Sequence, residues 1–191
     1  MNPCKRMIVG QVLLIICCVF YLLWWYRGYR PGTVVNRMGG INGVLLAITA
    51  VFGISGIACC LMPTSDDLKT KINPTLIVIA GIAAYIVLLL VTRLLFHRPV
   101  TTELFLIVGW CMLEMTVINR LNALGSLEGS RFVIMCAVTA AAVIASLVLY
   151  VLYYRMEEMR AFYAAMVPLV TEAAAMGILV ILYCTGKAGA V

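Results

Sequence analysis

The sequence predicts an all-α integral membrane protein, a bundle of six transmembrane helices joined by short loops. Three observations predict it. Of 191 residues, 64% are hydrophobic and only 12% charged, whereas an ordinary soluble domain is roughly half apolar and about a quarter charged. So few charged groups could not cover the surface of a soluble fold, and the mean hydropathy is +1.08. The apolar residues also fall in unbroken runs of about the 20 residues that a helix needs to cross a bilayer. Finally, the runs fill most of the chain, which leaves a single polytopic domain over 1–191. These features exclude a secreted disulfide scaffold, a nucleic-acid-binding domain and a disordered tail. Helices are preferred to strands because each run is twice the length of a barrel strand and lacks in–out alternation.

The spans read at about 7–25, 41–62, 75–96, 103–121, 132–153 and 162–184. Lys5 and Arg6 precede the first, as in a signal peptide. Its apolar core is too long for one, and Trp24-Trp25-Tyr26-Arg27 stands where small residues would mark cleavage, so it reads as a retained helix. Tyr29-Arg30-Pro31-Gly32 separates it from the second span, and Pro63-Thr64-Ser65-Asp66-Asp67 separates the second from the third. His97-Arg98-Pro99 precedes the fourth span, a Gly/Ser-rich stretch over 125–130 precedes the fifth, and Arg155-Met156-Glu157-Glu158 precedes the sixth. Clusters of this kind are turn and loop punctuation. Small residues spaced by four, Gly43/Ala47, Ala80/Ala84 and Ala137/Ala141/Ala145, are expected to let helices approach closely in lipid. Spans 1, 3 and 5 each finish on aromatic-then-basic residues, a rhythm that three helical hairpins would produce and that ordinary interfacial belts also produce.

Sidedness should follow the Lys/Arg asymmetry of the loops, but the 14 cations divide seven against seven. The arginines of loops 1, 3 and 5 sit at helix ends among aromatic residues, and on that ground these loops read as cytoplasmic, with the chain in the cell membrane.

Two charges lie where charges are costly. Glu114 and Glu172 each stand ten residues into their spans, counted from Leu104 and Phe162, hence roughly 15 Å deep at the helical rise. An acid near the bilayer centre costs about 2.5–3.5 kcal/mol to insert. No cation is expected at that level: Arg93 can snorkel outward, and Arg120 lies roughly 9 Å further along its helix than Glu114. The carboxyls are therefore expected to be protonated, to share a proton or to hold a cation, or else to be hydrogen-bonded packing groups. Trp110 lies one turn before Glu114, and Thr171 and Pro168 precede Glu172, so these three are the expected pocket neighbours. Pro168 also frees a backbone carbonyl close to the acid, as in the broken helices of ion-coupled transporters.

Arg27, Arg30, Arg98 and Arg155 form a second candidate, an anion or lipid-headgroup site suited to guanidinium forks. Simple anchoring to anionic lipid is the preferred explanation for them. The eight cysteines contain no C-x-x-C and lie mostly within spans, where cysteine behaves as a small buried hydrophobe. One histidine, His97, is too few for His-rich metal sites. P-loop, G-x-S-x-G and H-E-x-x-H motifs are missing. No catalytic residue, cofactor or metal is expected. The leading reading is a small-solute or cation/proton-coupled transporter or channel-like protein. The alternatives are a non-catalytic subunit, packing as a homo-oligomer or within a larger membrane complex, and a lipid-modifying enzyme at the arginine face.

Overall fold

A computed structural model of the chain describes residues 2–32, 39–62, 69–95, 97 and 102–188. Six helical segments among them are long and apolar enough to cross a membrane. The protein is an integral multi-pass membrane protein whose solvent is the lipid bilayer, and the six-helix bundle is observed. Helix α1 covers Pro3–Tyr29, α2 Ile41–Leu61, α3 Pro74–Leu94, α4 Thr102–Ala123 and α5 Ser130–Leu152. The sixth span comprises two helices, α6 (Glu158–Ala164) and α7 (Val167–Ala188).

Local chemistry sets these boundaries. Asn2 and Asn73 cap α1 and α3 by accepting hydrogen bonds from the backbone N–H groups of Cys4 and Thr75, at 3.1 and 3.0 Å. Pro3 and Pro74 follow them at the first helical position, where a missing N–H is harmless. Gly125, at φ +68°, closes α4, and the Ser126 N–H donates back to the Leu121 carbonyl at 2.9 Å. The break in the sixth span falls at Ala165 and Met166. Pro168 has no N–H to offer the carbonyl one turn earlier, so the ladder is interrupted there and restarts with the Val170 N–H on Met166.

Sequential helices pack as neighbours, α1 with α2, α3 with α4 and α5 with α7, and α1 with α7 and α4 with α5 complete the bundle. The closest approach joins α1 to α2. A side chain at Gly10 would strike the Cys60 sulfur and the Gly56 carbonyl, and one at Gly56 would strike Leu14 and the Gly10 carbonyl. The close crossing is thus at Gly10 and Gly56, while Ala47, Ala137 and Ala141 are exposed. On α5 the buried stripe is Phe132, Met135, Thr139, Ala142, Ser146 and Tyr150.

Two arginines fasten the end of α2. Arg120 of α4 donates to the carbonyls of Cys60, Leu61 and Met62 at 3.1–3.4 Å, and Arg6 of α1 donates to Met62 at 2.9 Å. The last carbonyls of a helix lack internal partners and carry partial negative charge, which cations at this end satisfy. Nearby, the Asn119 side chain both donates to and accepts from the backbone of Ile72, at 2.7 and 3.0 Å, holding the approach to α3 against α4. Arg37, Asp66, Asp67, Phe96 and Arg98 lie outside the described residues.

Candidate functional site

Glu114 is completely buried, and Glu172 is 6% exposed. Burial of Glu114 follows from its place on α4, the helix that other helices surround: Trp110, Val117, Ile118 and Leu121, on the same side of the turn, are all in the core. A lone carboxyl there needs a partner, and Gln11 of α1 supplies it. The Gln11 side-chain amide donates to Glu114 Oε2 at 2.9 Å. Gln11 is itself fully buried and is the one amide side chain within span 1.

The pair is incompletely satisfied. Among the described residues, Glu114 Oε1, Gln11 Oε1 and the Trp110 indole nitrogen are buried with no hydrogen-bond partner. Buried polar atoms are nearly always paired, and leaving one unmade costs about 1–3 kcal/mol. Two of the three orphans are oxygen acceptors on side chains already in contact. A proton or cation held between them would satisfy both. That is the chemistry this arrangement can perform without catalytic machinery.

Glu172 stands apart from this pair. No hydrogen bond joins it to Glu114 among the described residues. It lies within electrostatic range of Cys18 on α1 and Cys111 on α4, and Cys111 is also within range of Glu114. The register of α5 gives the relative heights. Tyr150 packs with Leu104 and Ile107, and Ser146, one turn further along, shares a 3.1 Å hydrogen bond with Thr171. Glu172 therefore sits near the level of Cys111, roughly one turn or 5 Å from Glu114 along the bundle. Counting from Phe162 places the acids at equal depth only if the sixth span is one straight helix, and the break before Pro168 removes that condition.

The other expected pocket residues separate in the same way. Trp110 is buried beside Glu114. Thr171 and Pro168 are half-buried near the break, where the Thr171 hydroxyl donates to the Pro168 carbonyl at 2.8 Å. Thr171 and Glu172 lie in the second turn of α7, past the interruption at Ala165 and Met166. The arginine face is more dispersed. Arg27 donates to Asn42 at 3.3 Å, Arg30 donates to the Tyr26 hydroxyl at 3.1 Å, and Arg155 is exposed in a short 3-10 turn. Around them Trp25 stacks on Tyr29 and Phe162, tying the end of α1 to α6.

Gln11 is the functional candidate that hydropathy and charge alone pass over, although an amide isolated in an apolar run is a visible signal. A cavity of about 340 Å³ lies between α3, α4 and α5, lined by apolar side chains that include Val108, Cys111, Met112 and Met115 of α4. Cys111 stands between it and the acids. No cluster of three or more potential metal ligands occurs among the described residues. No protein-family model matches the chain, and no curated protein or solved structure is significantly similar to it.

Proposed function

We propose that the protein moves or senses a proton or small cation through the membrane, with Glu114 and Gln11 as the binding pair and Glu172 as a second carboxyl about a turn away. One observation carries this reading: among the described residues, a fully buried carboxyl and its amide partner each keep an unpaired acceptor oxygen in the middle of a membrane span. An ionisable residue at that depth is retained against a cost of about 2.5–3.5 kcal/mol, which ordinary helix packing does not require. Two further features support it. The helix carrying Glu172 is interrupted at Ala165 and Met166, roughly 9 Å before the acid, and interrupted helices recur at transporter sites. Trp110, with its own unpaired N–H, gives the site a rigid wall.

The finer assignments follow from this reading. Loops 1, 3 and 5 face the cytoplasm across the cell membrane, and Arg27, Arg30 and Arg155, with Arg98, anchor that side to anionic lipid. The exposed positions of Arg27, Arg30 and Arg155 support anchoring.

Purified protein in liposomes with an imposed proton or sodium gradient tests the proposal. Wild type is expected to dissipate the gradient or to couple it to solute uptake. The double variant Glu114→Gln, Glu172→Gln should insert normally and lose that flux. An amide at 114 can still hydrogen-bond Gln11 but cannot release a proton. Full flux in the double variant overturns the assignment, and a stable second protein co-purifying in detergent with no flux from either form favours the assembly-subunit alternative.

A further inference from the structure

The cavity between α3, α4 and α5 is separate from the acid pair and points to a different ligand. Its wall on α3 runs from Leu76 to Leu88, twelve residues or roughly 18 Å of helix. One leaflet of a hydrocarbon core about 30 Å thick is of similar length. The lining is apolar throughout, and α3 has only Ile77 and Thr92 buried, so the crevice opens toward lipid. Gly81 shapes it: a side chain there would strike Met112, so the bare backbone lets the methionine lie against α3 and leaves the flanking space open.

A single cation stands next to one end of the crevice. Ile72 lines it, and the adjacent Lys71 is exposed with its ammonium 4.6 Å from the centre of the Phe132 ring. The ring steadies Lys71 just before α3 begins, while its exposed face stays open to an anion.

We propose that this crevice is a binding site for one anionic phospholipid, with an acyl chain laid along α3 and the phosphate held at Lys71. An apolar slot one leaflet long that ends on a fixed cation matches the two halves of such a lipid. The site lies on the opposite membrane side from Arg27 and Arg155 and does not depend on the ion-handling role of Glu114.

Native mass spectrometry of the full chain, released from nanodiscs containing equal phosphatidylglycerol and phosphatidylcholine, tests it. Wild type is expected to retain phosphatidylglycerol in preference to phosphatidylcholine. Ala84→Phe, at an exposed crevice position, should fill the slot and lose the retained lipid. Lys71→Gln should still hold lipid but no longer choose between the headgroups. Equal retention of both lipids by wild type, or unchanged retention in Ala84→Phe, overturns the proposal. So does efficient disulfide cross-linking between two copies of Ala84→Cys, which would make a second chain the occupant.

Discussion

Helices α3 and α4 pack side by side and are of nearly equal length, yet they differ in character. The most apolar stretch of α3 has a mean hydropathy of 2.7 and 17% of its residues buried, and the corresponding figures for α4 are 1.6 and 50%. In water the most apolar element would be the central one. In lipid the ordering reverses, because the surroundings are already as apolar as leucine. Polar groups must find protein partners instead. Glu114, Asn119 and Arg120 all lie on α4 and bond to α1, the α3 approach and α2 respectively. The helix with the most polar groups is thereby the hub, and α3 presents Ile79, Ile82, Ile86 and Leu90 outward.

That contrast can be broken most severely on α3. Ile82→Asp puts an acid on an exposed face near mid-span, with no protein partner to receive it, and should cost about 2.5–3.5 kcal/mol of insertion free energy. A glycosylation-reporter insertion assay of the third span checks this. Replacing Glu114 with Ala should cost less, about 1–3 kcal/mol, because the Gln11 amide is left unpaired in the core. Glu114→Gln should recover most of that loss through an amide–amide bond, as read by unfolding in mixed micelles. Smallest is Ser146→Ala, which removes the hydroxyl contact with Thr171. Interhelical hydrogen bonds in membranes average about 0.6 kcal/mol, so the same micelle assay should register a shift of that order.

The six spans were legible because membrane thickness imposes a length on each apolar run, and their observed ends differ from the sequence reading by a few residues. Burial of Glu114 and Glu172 was legible too, since neither acid is close enough to a span end to snorkel. Their relative depth was not. It depends on the break at Ala165 and Met166, and Pro168 permits either a bend or a full interruption. The site of the closest crossing was not legible either. Gly43/Ala47 and Gly53/Gly56 both offer small residues on α2, and only the arrangement of α1, with Gly10 opposite Gly56, selects between them. The phospholipid crevice had no sequence signature, because it exists only where three helices leave a gap.

Infrared difference spectroscopy on reconstituted protein, comparing wild type with Glu114→Gln as proton or sodium concentration is stepped, tests the binding pair most directly. The account predicts one carboxyl band that changes with the cation in wild type and is missing from Glu114→Gln, beside the bands of Glu172 and the other acids that both proteins share. A Glu114 band, read as the difference between wild type and the variant, that is indifferent to both cations would contradict it.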